Sequence, residues 1–429
     1  MTELSEYCKV YRINDDRNVL YSTKNAATVV LKDSVLDDLL NGNTSPDIET
    51  SLGRLGFIVP GKEQEKKAMR DFMDSVDELG NKLSLVVVLN LSCNLACPYC
   101  FEGKAKGPYF MSEDAENDLY DFAARTVTDN HKEISITFYG GEPLLSIDTI
   151  IRISEKINGF AAEKGLRYSF GLVTNGTLLT GEVVRRLKPL GFQGAKVTLD
   201  GPRDIHNVSR PFRSGAGSFD VIVDNLRQVC SDINIQVGGN YTCDNYTRFP
   251  EFLDYLIGEG LTPDLIKSLK FDPVVAANKS FALTDYADWC MSINEPWVLE
   301  ASVFLRQAVL ERGFKTPFVK PSLCVIESKN HFVVNYNGDL YKCPGFIGRE
   351  DFRIGTLKDG AMNYRDIYSL DNWKNEECLS CSYLPLCFGG CRYMRLITKG
   401  DIAGVDCRRD YYDTTLRTFV LQDIEFRQR

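Results

Sequence analysis

The chain has 429 residues, 44% hydrophobic and 25% charged, the composition of a globular protein too long for one ordinary core. A formal charge of −9 with no long Lys/Arg run argues against nucleic acid as a partner. The N-terminus is acidic without an apolar signal core, and the most apolar stretch, 83–91, is about half the length a bilayer requires. A cytoplasmic protein without membrane contact is therefore expected.

In chain order, residues 7–13 and 18–23 read as two short strands joined by a turn at Asp15-Asp16-Arg17. Two short helical stretches follow at 34–40 and 48–55, stopped by Asn41-Gly42 and Gly56, with a further strand at 57–59. This opening resembles a winged helix in outline, and 63–79 reads as a connecting helix. From residue 82 strands and helices alternate: strands at 83–91, 134–139, 168–174, 195–199, 233–241 and 269–275, helices at 112–128, 146–164, 181–190, 218–231 and 246–259. Six such units imply a parallel barrel or a doubly wound sheet, closed by a helix at 283–312. The remainder is rich in Cys and Gly, and bound metal could supply part of its folding energy. The expected domains are 1–81, 82–312 and 313–429.

Fourteen cysteines in a reducing compartment point to metal or redox chemistry rather than disulfides. Three fall within 93–100 and seven after residue 320. Cys8, Cys230, Cys243 and Cys290 are isolated and read as small buried hydrophobes. The triplet Cys93-x3-Cys97-x2-Cys100 lies in the loop after the first strand of the alternating region, and in a barrel such loops form the active-site face. Three thiolates there can hold three corners of an iron–sulfur cube and leave the fourth metal open. A closed zinc site would need a fourth ligand, and none lies nearby in sequence.

C-x3-C-x2-C after a first barrel strand resembles the signature of the radical S-adenosylmethionine (SAM) superfamily. The resemblance implies a partial (β/α)6 TIM-type barrel. It also implies a [4Fe–4S] cluster on Cys93, Cys97 and Cys100 whose open iron binds SAM, and production of a 5′-deoxyadenosyl radical. Tyr99 and Phe101 match the aromatic flanks that pack near the adenine. Phe138-Tyr139-Gly140-Gly141-Glu142-Pro143 resembles the family's GGEP motif, implying that this backbone and Glu142 receive the methionine amino group. Thr174-Asn175-Gly176 ends strand three, where the family places ribose contacts. Asp200-Gly201-Pro202, followed by His206 and Arg210, resembles the run in which a basic residue reaches the SAM carboxylate.

Cys324-x13-Gly338-x4-Cys343, then Cys378-x2-Cys381-x5-Cys387-x3-Cys391 and Cys407, resembles the SPASM domain, including its G-G-C-R segment at Gly389-Gly390-Cys391-Arg392. The resemblance implies two auxiliary [4Fe–4S] clusters. Cys378, Cys381, Cys387 and Cys407 would hold one. Cys324, Cys343 and Cys391 would hold the other, with one ligand unaccounted for: a non-cysteine residue, or a thiolate from substrate. Sulfatase-maturing relatives carry an acidic general base just after the G-x4-C cysteine. Pro344 stands there, so formylglycine formation lacks its expected proton acceptor. A zinc-ribbon-like knot is the structural alternative for these seven cysteines.

The winged-helix-like opening resembles the recognition element of enzymes that tailor ribosomally made peptides, which bind a leader peptide as an added strand. Strand 17–23 or 7–13 is the candidate edge. Taken together, the chain is expected to be an oxidoreductase, a radical SAM peptide maturase of the thioether-forming sactipeptide/ranthipeptide type. Its partners would be a precursor peptide and an electron donor such as flavodoxin or ferredoxin. Carbon–carbon or carbon–oxygen crosslinking, formylglycine formation and a non-catalytic iron–sulfur protein are the alternatives.

Overall fold

The computed structural model describes residues 3–72, 75, 80–100, 102–275 and 292–427. The chain divides into two compact units. One comprises Met1–Leu79, Phe318–Ser328 and Ser369–Arg429, the other Gly80–Pro317 and Lys329–Tyr368.

The first unit opens with β1 (Glu3–Leu4), then an antiparallel sheet in the order β2 (Cys8–Asn14), β3 (Arg17–Ser22), β4 (Thr28–Lys32). Helices α1 (Asp33–Leu40) and α2 (Pro46–Arg54) place Leu36 and Leu52 against Leu20 and Phe57, and β5 (Ile58–Val59) pairs with β1. β4 has no counterpart among the strands expected from sequence. Its Thr-Val-Val-Leu run has high strand propensity, and its side chains alternate between exposed and half-buried. The extra strand alters one expectation. Arg17–Ser22 is paired on both sides, so it is a central strand and cannot accept another. The edges are β2 and β4. α3 (Lys62–Arg70) covers the first part of the connecting helix expected over 63–79; residues 73, 74 and 76–79 lie outside the described residues.

The second unit contains the alternating region. Parallel strands β6 (Lys82–Asn90), β7 (Glu133–Gly140), β8 (Arg167–Thr174), β9 (Phe192–Thr198), β10 (Asn234–Tyr241) and β11 (Ile266–Pro273) lie side by side in sequence order. Between them run α4 (Glu113–Thr126), α5 (Ile147–Glu163), α6 (Gly181–Leu187), α7 (Arg203–Ser209), α8 (Phe219–Val229) and α9 (Phe249–Gly258), followed by α10 (Pro296–Glu311). Residues 276–291, including Cys290 and the start of the helix expected over 283–312, lie outside the described residues. On β7, Ile134, Ile136 and Phe138 are fully buried, whereas Ser135 and Thr137 on the opposite face are only half-buried. Parallel pairing is thus secured by one apolar face against the helices. Strand order is linear, so the sheet is open rather than a closed ring.

Residues 329–368, expected with the cysteine-rich segment, belong to this second unit. The reason is β12 (His331–Val334), four buried residues that pair parallel with β6 from His331↔Ser84 to Val334↔Val87. Antiparallel β13 (Asp339–Tyr341), β14 (Gly355–Thr356) and β15 (Gly360–Ala361) complete a sheet of ten strands among the described residues.

The chain then returns to the first unit as α11 (Glu376–Leu379), α12 (Leu384–Cys387), α13 (Arg392–Lys399) and α14 (Arg409–Arg427). Here the opening residues, expected to stand apart, share a core with the last sixty. Tyr7 packs with Trp373, Leu379 and Phe388, and Val19 and Tyr21 pack with Leu416 and Val420. Hydrogen bonds tie the same surfaces: Tyr7 Oη to Leu379 O at 2.8 Å, Thr23 Oγ1 to Ser382 O at 2.7 Å and Tyr21 Oη to Val319 O at 2.6 Å. Among the described residues no helix is long and apolar enough to cross a membrane.

Candidate active site and cysteine clusters

Loops at the C-terminal ends of β6 to β10 converge in the second unit. The β7 loop approaches the β6 loop backbone to backbone: Gly141 N donates to Asn90 O at 3.0 Å and Glu142 N to Ser92 O at 2.8 Å. A Cβ on Gly140 would stand 2.3 Å from Asn90 O, and one on Gly141 2.2 Å from Ser92 O. No larger residue permits that approach, which accounts for the paired glycines.

Glu142 is fully buried. Its carboxylate accepts from Leu144 N at 3.0 Å, Thr174 Oγ1 at 2.7 Å and Asn175 N at 2.8 Å, joining the β7 loop to the β8 loop. Burial raises its pKa, and these three donors oppose the rise. The side chain expected to receive a ligand therefore serves as a pin, and Thr174 and Asn175 are two of its anchors. The Asn175 amide also donates to Asn94 Oδ1 at 2.8 Å and reaches Cys93 Sγ at 3.8 Å, where Leu95 N donates at 3.4 Å.

A second network surrounds Tyr99. Its hydroxyl bonds the Asp200 carboxylate, accepts from Arg210 Nη1 at 2.8 Å and lies 3.3 Å from Asn240 Nδ2. Asp200 is buried and also accepts from Asn240 N at 2.8 Å. His206 Nδ1 accepts from Asp200 N at 3.1 Å, and its other ring nitrogen meets Ser218 Oγ at 3.0 Å. Burial, with Arg210 nearby, lowers the His206 pKa well below the usual imidazole range, so the ring is neutral and fixes the loop. Arg210 Nε is buried without a partner among the described residues. Phe101 lies outside the described residues.

The three cysteines of the first loop are free. Burial raises Cys93 and pushes Cys97 up to about 11, against the nearby Arg210 and Lys106, so both are thiols at neutral pH. Holding a metal would release those protons. Among the described residues no three His, Cys, Asp or Glu side chains converge tightly enough for a single metal ion. Corners of a four-iron cube hold thiolates farther apart than one ion does, and three cysteines without a fourth ligand suit that larger, open group. The unpartnered Arg210 nitrogen suits an anionic cofactor group beside it. These residues fit a cluster with SAM.

Lys106 and Asn240 were not identified from sequence. Lys106 lies against the Cys100 thiol, and its pKa is raised by all three cysteines against the effect of burial. Asn240 ends a barrel strand, and a polar residue at that position was the signal available.

In the first unit Cys378, Cys381, Cys387 and Cys407 line one cavity together with Arg408 and Arg409. Burial pushes Cys387 to about 12 and raises Cys378, while Arg409 bonds Cys381. Cys324 and Cys391 are also in this unit; burial, with the nearby Cys391, raises the Cys324 thiol. Cys343 is in the second unit, where Pro344–Phe346 forms a tight turn after it. Asp339 and Glu350, the carboxylates nearest in sequence, both pair with Arg353.

An α/β protein with strand-end loops gathered over an open cysteine triplet belongs to the class that builds its chemistry at the carboxyl ends of parallel strands. Residues 87–254 match the model of the Radical SAM superfamily, and this chain carries a radical SAM domain. That family implies a [4Fe–4S] cluster and SAM. A similar protein is the "Radical SAM cyclopropyl synthase TigE" of Paramaledivibacter caminithermalis, 22% identical over 80% of this chain and 76% of its own. Another is a "Cysteine-type anaerobic sulfatase-maturating enzyme" of Clostridium perfringens, 24% identical over 78% of this chain and 94% of its own. The fold is shared with the crystal structure of Streptococcus suis SuiB bound to precursor peptide SuiA. There the TM-score is 0.54 at 16% identity, covering 95% of this chain and 99% of that one.

Proposed function

We propose that this protein is a cytoplasmic radical SAM peptide maturase that joins a cysteine sulfur of a ribosomally made precursor peptide to a substrate carbon, forming a thioether. The observation that carries the reading is the convergence of the Gly140–Glu142, Thr174–Asn175 and Asp200–Arg210 loops on Cys93, Cys97 and Cys100. When bound, the cluster with SAM supplies a 5′-deoxyadenosyl radical that takes one hydrogen atom, and the auxiliary clusters an acceptor for the electron left when the C–S bond forms. The thiol proton leaves to solvent.

The chain's own residues bind and orient. Cys93, Cys97 and Cys100 hold three irons. The Gly140-Gly141 backbone faces the SAM amino group and Glu142 keeps it there, while the free Arg210 nitrogen takes the SAM carboxylate. Tyr99 and Phe101 flank the adenine, and Asn175 and Asp200 the ribose. The cysteine-rich part of the first unit acts in the manner of a SPASM domain, with Cys378, Cys381, Cys387 and Cys407 on one auxiliary cluster and Cys324 and Cys391 among the ligands of another. A small electron carrier such as flavodoxin or ferredoxin is the reductant.

The opening segment is read as a winged-helix-like leader-binding element. Its open edge is β4. Bonds Ser22 N to Ala27 O and Asp33 N to Asp16 O set the parity, so the N–H and C=O groups of Thr28, Val30 and Lys32 point away from β3. On the opposite edge, Arg417 already donates to Arg12 O at 2.9 Å.

Formylglycine formation, the chemistry of the sulfatase-maturating relative, is disfavoured because Pro344 takes the place of the base and Arg353 holds the neighbouring carboxylates. The test is anaerobic reconstitution, with about twelve irons and 5′-deoxyadenosine on reduction expected. Replacing Cys93, Cys97 and Cys100 by Ala should abolish SAM cleavage. A cysteine-containing precursor should lose a pair of hydrogens by mass, and its Cys→Ser version should not. Absence of 5′-deoxyadenosine from the reduced native protein would sink the enzymatic reading, and turnover of a cysteine-free precursor would replace the thioether with another crosslink.

A further inference from the structure

Arg392 and Glu327 form an ion pair in the first unit, with side chains 0% and 2% exposed. The second guanidinium arm, Nη1, donates to Phe388 O and Gly390 O, each at 3.2 Å. A buried pair of this kind is weak evidence for stability, because desolvating two charges can cancel their attraction. Its best-attested use is to fix a register. Both partners sit beside a cysteine. Arg392 follows Cys391, and Glu327 closes the turn whose first carbonyl is that of Cys324, Glu327 N to Cys324 O at 3.0 Å. The arm on Phe388 O and Gly390 O also spans the segment between Cys387 and Cys391. That segment is held from the other side by Asp406, which accepts from Cys391 N at 3.1 Å and donates its N–H to Gly389 O at 2.8 Å. A Cβ on Gly390 would stand 2.0 Å from Asp406 O, so the contact admits only glycine.

We infer that Arg392 and Glu327 are positioning residues which hold Cys324 and Cys391 at a preset separation, so that an auxiliary iron–sulfur cluster is received by ligands already in place. The pair is neutral as a unit, so its contribution is geometry rather than charge. The inference rests on the reading that Cys324 and Cys391 are cluster ligands.

The experiment uses the full chain with Cys93, Cys97 and Cys100 replaced by Ala, which leaves only auxiliary iron. That parent should hold about eight irons and, when reduced, show two cluster spin signals. Adding Arg392→Met with Glu327→Leu keeps an apolar, packed interior. We expect melting close to the parent's, about four irons, and loss of one signal while the other persists. Arg392→Lys, which keeps the charge but loses the fork, should fold and load that cluster to less than about half. Full iron and both signals in either variant would overturn the inference. A parent without iron would overturn the auxiliary-cluster reading itself.

Discussion

Cys93 receives two hydrogen bonds from the protein, whereas Cys97 and Cys100 face cations, Arg210 and Lys106. Beside them, the Tyr99 hydroxyl joins Asp200, Arg210 and Asn240, so removing it unsatisfies groups in the β9 loop and near the end of β10 at once. Tyr99→Phe should cost about 1–3 kcal/mol of stability. Its SAM affinity, measured by calorimetry on the reconstituted protein, should fall, and unchanged affinity would separate this network from the cofactor. Residue types at these positions were legible, because glycines and cysteines at fixed spacing report backbone approach and metal ligation. Directions were not. Nothing in the spacing of Glu142 shows that its carboxylate turns inward to Thr174 and Asn175, or that Asn240, forty residues from Asp200, completes its bonds.

At the scale of elements, the β6 and β7 loops are one structure, since two backbone bonds join them across a gap only glycine permits. Gly141→Ala must push the Cys93 loop aside, at about 1–3 kcal/mol. Iron bound by the triplet should drop while far-ultraviolet circular dichroism stays native. β12 carries a separate pH dependence. Burial and Lys342 lower His331 to about 4. The unfolded chain takes up that proton near pH 6.5, so between about 6.5 and 4 it binds more protons than the folded one and stability falls as pH falls, by up to ~3 kcal/mol. His331→Phe should flatten that part of the curve in denaturant titrations, and an unchanged slope would contradict the assignment. The βα alternation of 82–275 was readable because each strand presents a continuous or alternating apolar face. β4 and β12 were not: both are short, five and four residues long, and β12 is defined by a partner, β6, about 250 residues away.

Across the whole molecule, the outward groups of β4 make a specific prediction about peptide capture. Val30→Pro removes one outward N–H and no bond to β3, so the sheet should survive. Affinity for the leader segment should fall by roughly tenfold, the worth of a backbone hydrogen bond or two. SAM cleavage without peptide should be unaffected. Equal binding by the variant would move the leader elsewhere.

The shared core of the two chain ends bears on how this protein comes to exist. Tyr7, Val19 and Tyr21 are at most 2% exposed only because Leu379, Phe388, Leu416 and Val420 cover them. During synthesis those partners emerge last, so the first sheet must wait with an apolar face bare while some three hundred residues are made. A fragment of residues 1–72 should accordingly be poorly folded, with fast amide exchange in β2 and β3. Such a fragment cannot be transplanted to another protein as a folded unit without its C-terminal counterpart.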